Sequence, residues 1–136
     1  MPEMTPEQRD AFLREPRIAK LATLNADGSP TIVPVWFEWT GSEALMFTSE
    51  MSPKVKRIRR DPRVALSVEQ PVGVAEAWVT VEGHAAIEPG GFALAERLAP
   101  HYYDAAKTAA ALTSWGKKPG QWVLLRITPT RIRSSG

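Results

Sequence analysis

The sequence contains no cysteine. This excludes disulfides, thiolate nucleophiles and cysteine-ligated metal sites. Histidine is also scarce, and His84 and His101 are so far apart in sequence that no metal site is expected. No apolar run approaches the roughly 20 residues that span a bilayer, and the N-terminal stretch MPEMTPEQRD is too polar and acidic for a targeting peptide. These absences predict a soluble, cytoplasmic protein with no membrane partner.

The common nucleotide-binding patterns are absent as well. There is neither a G-x-G-x-x-G nor a G-x-x-x-x-G-K motif, and no serine lies in a G-x-S-x-G setting. The net charge is only +2, so the chain as a whole is not a polycation and a nucleic-acid partner is not expected. No side chain is singled out as a catalytic acid, base or nucleophile, and the catalytic residues stay unknown at this stage.

The length of 136 residues and the ordinary composition predict one domain spanning the whole chain, residues 1–136. Hydrophobic periodicity and turn residues predict six antiparallel strands with short helices, which is typical of a small closed or partly open β-barrel. A bend or bulge is expected at Gly83. The predicted strands are 18–24, 31–39, 44–48, 64–69, 77–87 and 122–127, with Ile132 as a possible extension, and the predicted helices are 6–14, 53–60, 92–103 and 104–115.

The predicted second strand, Thr31 to Trp39, is apolar on both faces. A surface strand with one solvated side normally alternates apolar and polar residues. One face of this strand can fill the core, so the other needs a cover from a ligand, from another subunit or from both. The two faces are Val33, Val35, Phe37, Trp39 and Ile32, Pro34, Trp36.

A basic stretch from Phe47 to Glu69 contains the strongest candidate site. Ser52 is a good helix N-cap, and Pro53 suits the first helical position. Free backbone N–H groups at a helix N-terminus, next to hydroxyls and the early Lys54, form a suitable site for a phosphate. Between Lys54 and Arg63 six basic residues accompany a single acid, Asp61: Lys54, Lys56, Arg57, Arg59, Arg60 and Arg63.

The segment FTSEMSPKVKRIRRDPRVAL resembles the flavin-phosphate segment of the pyridoxamine 5′-phosphate oxidase superfamily, the FMN-binding split β-barrels. Upstream, EPRIAKLATLNADGSPTIVPVWFEW is similar to the opening hairpin of the deazaflavin (coenzyme F420)-dependent branch, as are WVTVEGHAAI and LLRITPTRIR downstream. The resemblance runs from Glu15 to Arg133. It implies a mainly β, six-stranded split barrel that forms a homodimer and binds its cofactor between subunits.

The resemblance also implies which residues hold the cofactor. It places Lys54 on the phosphate, and one phosphate-binding arginine is missing because Ser52-Pro53-Lys54 stands where the oxidases have Ser-Arg-Lys. The alternative roles are surface charge for the basic residues, helix capping for Ser52, strand-end positions for Thr48 and Ser49, and core or dimer packing for Trp36. The ring would lie along Val33, Pro34, Val35 and Trp36, and the phosphate or an anionic tail would contact Thr48, Ser49, Ser52, Lys54, Lys56 and Arg57.

The implied function is an oxidoreductase that transfers hydride from reduced F420 to a small organic acceptor. An FMN-dependent oxidoreductase of the same fold is the first alternative, because both cofactors carry a phosphate. A non-catalytic carrier of a flavin-like or haem-like molecule is the second. Nucleic-acid binding by the basic run is disfavoured, since the run lacks interleaved aromatic residues for base stacking.

Overall fold

A computed structural model describes residues 2–136, which form a mainly β structure with four short α-helices and one 3-10 turn at Pro119–Gln121. No helix among these residues has the length and apolar character required to cross a lipid bilayer. The helices are α1 (Pro6–Arg14), α2 (Pro53–Arg60), α3 (Gly91–Tyr102) and α4 (Ala105–Trp115), and the strands are β1 (Ala19–Leu24), β2 (Pro30–Val35), β3 (Glu38–Trp39), β4 (Ala44–Ser49), β5 (Arg63–Glu69), β6 (Trp78–Glu88) and β7 (Trp122–Ser135).

The expectation of six strands is wrong, because the residues described form a sheet of seven. The predicted strand Thr31–Trp39 is interrupted at Trp36 and Phe37, which belong to neither β2 nor β3. Two strands on opposite edges of the sheet therefore arise from one apolar run. The last strand is also longer than predicted, since β7 continues through Pro129 to Ser135 without a break.

The sheet is antiparallel in the order β2-β1-β5-β6-β7-β4-β3. Strands β2 and β3 lie at opposite edges, although only Trp36 and Phe37 separate them in sequence. The sheet must therefore curl until its edges meet at this link, which gives a split barrel. On the free edge, Pro30 and Pro34 lack the N–H groups through which another strand could pair with β2.

The inner face of the curled sheet holds the main hydrophobic core, built from alternating residues such as Leu21, Leu66, Val81 and Leu125. A second cluster lies outside the barrel, where Leu94 and Leu98 of α3 pack against Leu45 of β4 and Leu124 of β7. Helix α3 thus covers one half of the outer face. The other half, the outer face of β2, β1, β5 and β6, carries no helix among residues 2–136.

The two helix starts that the sequence predicted are confirmed. At α1, the Thr5 hydroxyl accepts from the Gln8 amide at 3.1 Å and the Gln8 side chain accepts from the Thr5 amide at 2.9 Å. At α2, Ser52 is the N-cap and Pro53 the first helical residue. The irregularity expected at Gly83 is also present, as a shift in register between β6 and β7.

Helix α3 approaches β7 through its first residue, Gly91. A Cβ atom at this position would lie 2.4 Å from the Val123 carbonyl oxygen, so only glycine fits without movement of the helix. We expect Gly91→Ala to lower the free energy of unfolding by about 1–3 kcal/mol, as overpacking of buried sites does. Gly120→Ala is the matched control, because nothing lies within 4 Å of a Cβ atom there. Urea denaturation of both variants tests this, and equal stability of the two would contradict it.

Candidate functional site

The turn between β4 and α2 presents the Lys54 ammonium group next to two hydroxyls. Lys54 Nζ donates to Thr48 Oγ1 at 2.9 Å and to Ser52 Oγ at 3.1 Å. Ser52 Oγ also accepts from the Lys54 amide at 3.3 Å, which is the N-cap bond of α2. Thr48 lies at the buried end of β4, so its hydroxyl is fixed by the sheet. The helix cap and the strand end together hold Lys54 in one orientation.

Lys54 is a half-buried cation without a countercharge. Within residues 2–136 neither Lys54 nor Arg57 forms an ion pair. Burial, and then the positive charge of Arg57, lower the pKa of Lys54 below its usual 10.5. A bound anion would relieve both effects, because it would restore the solvation lost on burial and neutralise the repulsion.

Lys54 also forms part of the lining of a cavity of about 260 Å³. Three residues from the end of β2 and the link that follows it, Pro34, Val35 and Trp36, form one side. The structure thus brings the predicted ring-binding stretch and the predicted phosphate-binding lysine to one place, although they are far apart in sequence. The remaining lining residues are Phe47, Tyr103 and Trp115.

The aromatic rings around this cavity are packed against one another. The Trp36 and Tyr102 rings stack with centroids 4.6 Å apart and an angle of 4° between their planes. Tyr103 meets Trp36 edge-on at 4.7 Å, and the Phe47 and Trp115 rings lie 5.5 Å apart. Aromatic pairs at such distances stabilise one another beyond their buried area, so the rings support each other as walls of the cavity.

The other predicted site residues lie outside this cavity. Arg57 points from α2 towards β1, where its Nε donates to the buried Thr23 hydroxyl at 2.7 Å. Lys56 lies on the exposed side of α2. The Ser49 hydroxyl accepts from the Met51 amide at 3.2 Å, which supports the turn before the helix. Val33 packs against the barrel core.

Sequence reasoning did not assign the walls that α3 and α4 contribute. For Tyr102 and Tyr103 it left two roles open, lining a substrate mouth or closing a helix, and favoured the second; it gave Trp115 no role beyond the end of α4. Their contacts with Trp36 and Phe47 connect segments distant in sequence, and periodicity carries no information about such contacts. The one available signal was the concentration of aromatic residues at the ends of an alanine-rich insert.

The cavity therefore combines flat aromatic walls with a cation at its margin. No acidic residue is among its lining residues in the part of the chain described, 2–136. Such a site suits a planar ring that bears a phosphate. Among the described lining residues there is no nucleophile beside a base, so the geometry favours a group that brings its own chemistry.

The comparison with protein families and known structures agrees with this geometry. A family model described as pyridoxamine 5′-phosphate oxidase matches residues 5–136. No functionally curated protein sequence gives a significant match.

Three solved structures illustrate the structural likeness. One named as an F420 reductase is 25% identical, with a TM-score of 0.71 over 90% of this chain and 94% of its own. A conserved hypothetical protein from Mycobacterium tuberculosis is 26% identical, with a TM-score of 0.76 over 96% of this chain and 84% of its own. A protein from Listeria innocua named as a putative pyridoxamine 5′-phosphate oxidase is 18% identical, with a TM-score of 0.73 over 95% and 96%.

The lowered pKa of Lys54 predicts a pH-dependent stability. The folded protein binds this proton less tightly than the unfolded chain does, so the contribution of Lys54 to stability rises with pH between the folded pKa and the ordinary value of 10.5. Lys54→Met lacks the titrating group. The free energy of unfolding of the wild type, minus that of Lys54→Met, should therefore increase from neutral pH to about pH 10.5. Urea denaturation over this range measures it.

Lys56→Met is the control for loss of a positive charge, because Lys56 lies on the exposed side of the same helix. The prediction is contradicted if the difference in free energy of unfolding between wild type and Lys54→Met stays constant or decreases as the pH rises.

Proposed function

Because the chain belongs to the pyridoxamine 5′-phosphate oxidase family, we propose that it is an oxidoreductase that uses coenzyme F420 and reduces a small organic acceptor. The observation that carries the proposal is Lys54, an uncompensated, half-buried cation at the margin of an aromatic cavity. The upstream and downstream motifs favour the deazaflavin branch, and the F420 reductase of similar structure supports that choice.

The residues divide into those that would hold the ring and those that would hold the phosphate. Main-chain groups of Val33 to Val35 would meet the ring edge, and Trp36 would border its face. At the phosphate end, Lys54 would contribute charge while Thr48, Ser49 and Ser52 contribute hydroxyls. Lys56, on the exposed side of α2, would meet an anionic tail, which F420 has and FMN lacks, whereas the Thr23 hydroxyl holds the Arg57 side chain away from the cavity.

When bound, reduced F420 supplies the hydride, so the protein needs to supply position, charge balance and exclusion of water. The aromatic walls, Trp36, Phe47, Tyr103 and Trp115, would exclude water from one side of a bound ring. Lys54 and the N-terminus of α2 balance the phosphate charge. With no acid among the lining residues that the structure describes, a proton for the acceptor would come from solvent.

The uncovered half of the sheet is the basis for proposing a homodimer. Two adjoining cavities of about 590 and 310 Å³ lie on this face and share Ala22, Ala65 and Glu82. Ile32 on β2 is 65% exposed in the single chain. A second copy of the same face would cover Ala22, Ile32 and Ala65 and complete the cofactor site between subunits.

Titration with FMN and with F420 tests the cofactor assignment. Lys54→Met should weaken binding of both cofactors about ten-fold or more, because a hydrogen bond to a charged group is lost. Lys56→Met should weaken the binding of F420 alone, by roughly two- to five-fold, since surface ion pairs are weak. Absorbance and tryptophan fluorescence of the purified protein report both affinities.

Each alternative makes a different prediction in this titration. Tight FMN binding with no response to F420 favours an FMN-dependent enzyme. Bound F420 with no reduction of any acceptor in a panel of electron-poor alkenes and quinones favours a carrier. Absence of binding by either cofactor contradicts the proposed function.

The homodimer has a test of its own. Ala65→Arg places a long charged side chain in the middle of the uncovered face, and we expect it to convert a dimer into a monomer in light scattering after gel filtration. Ala11→Arg on the exposed side of α1 is the control and should remain dimeric. A monomeric wild type, or a dimeric Ala65→Arg, contradicts the assignment.

A further inference from the structure

The hydroxyl of Tyr102, at the C-terminal end of α3, reaches the point where the two edges of the sheet meet. It donates to the Arg17 carbonyl, just before β1, at 2.7 Å. It also lies 3.4 Å from both the amide nitrogen and the carbonyl oxygen of Phe37, just before β3. One side chain thus contacts the backbone at the start of two strands that lie apart in the sheet order.

The Tyr102 ring has a second contact, with the candidate cofactor cavity. It stacks on Trp36 with nearly parallel planes, 4° apart, at a centroid distance of 4.6 Å. Trp36 meets its other aromatic neighbours, Phe47, Tyr103 and Trp115, with its plane inclined by 64° or more. Tyr102 is therefore the one aromatic neighbour, among residues 2–136, whose ring lies parallel to that of Trp36.

We propose that Tyr102 is a positioning residue, which fixes the plane of Trp36 and thereby the width of the ring-binding part of the cavity. This inference rests on the proposed function, since it assigns Trp36 to the cofactor ring. The hydroxyl anchors the phenol ring to the backbone of Arg17, and the phenol ring anchors the indole. Tyr102 itself does not line the cavity.

The same contacts explain how α3 and α4 influence a site that is formed largely by the sheet. Tyr102 ends α3, and Tyr103, the next residue, lines the cavity. A shift of α3 would move both rings against Trp36. Burial raises the pKa of Tyr102, so the hydroxyl keeps its proton and remains a donor to Arg17 throughout the neutral range.

Three variants separate positioning from general stability. Tyr102→Phe removes the hydroxyl and keeps the ring, whereas Tyr102→Leu removes the stack. Phe92→Leu is the matched control: it removes a ring from the same helix, and that ring lies against Gly116. The measurements are the thermal midpoint, near-ultraviolet circular dichroism of the cofactor-free protein, and the dissociation constants of FMN and F420.

We expect Tyr102→Leu to change the near-ultraviolet spectrum and to weaken cofactor binding more than ten-fold, and Tyr102→Phe to weaken it about three- to ten-fold. Phe92→Leu should lower the thermal midpoint about as much as Tyr102→Leu does. It should leave the dissociation constants of both cofactors within two-fold of wild type. Unchanged affinity in Tyr102→Leu overturns the proposal, as does equal loss of affinity in Phe92→Leu.

The two proposals fail in different ways. If the wild type binds neither cofactor, the proposed function is wrong. The positioning of Trp36 is judged separately on the cofactor-free protein, and an unchanged near-ultraviolet spectrum in Tyr102→Leu overturns it whatever the cofactor result.

Discussion

The meeting of the two sheet edges at Trp36 and Phe37 determines most of this structure. A twisted antiparallel sheet can end in two free edges, but here a two-residue link forces them to the same corner. The end of β2, the buried end of β4 and the start of α2 converge there. Helices α3 and α4 then pack outside the barrel and add Tyr103 and Trp115 to the same corner. The cavity is thus a consequence of where the barrel stays open.

Local chemistry made the α2 end of the site predictable. Ser52 and Pro53 define a helix start from sequence alone, and Lys54 follows it directly, so the direction of its side chain depends on one helical turn. The structure agrees with that expectation closely, because the same Ser52 hydroxyl contacts both the amide and the ammonium of Lys54. Gly83 was recognisable for a similar reason, since a glycine inside a strand pattern indicates a bulge.

The parts that could not be predicted depend on contacts between distant segments. The apolar run from Thr31 to Trp39 has the composition of one strand, and nothing local indicates that β2 and β3 belong to opposite edges. The closure of the barrel places β2 and β3 at opposite edges, because one straight strand cannot pair at both edges. Likewise Arg57 lies on the same face of α2 as Lys54, yet the buried Thr23 hydroxyl on β1 draws its side chain away from the cavity.

Lys54 shows why the site and the fold place different demands on the sequence. A lysine that is half-buried beside Arg57, with no ion-pair partner among residues 2–136, is unfavourable for the free protein, as its lowered pKa indicates. A nearby carboxylate would remove that cost and would also occupy the place of a bound anion. Functional sites are where local rules of stability are broken. The missing countercharge at Lys54 therefore favours an anionic ligand over a purely structural role for this lysine.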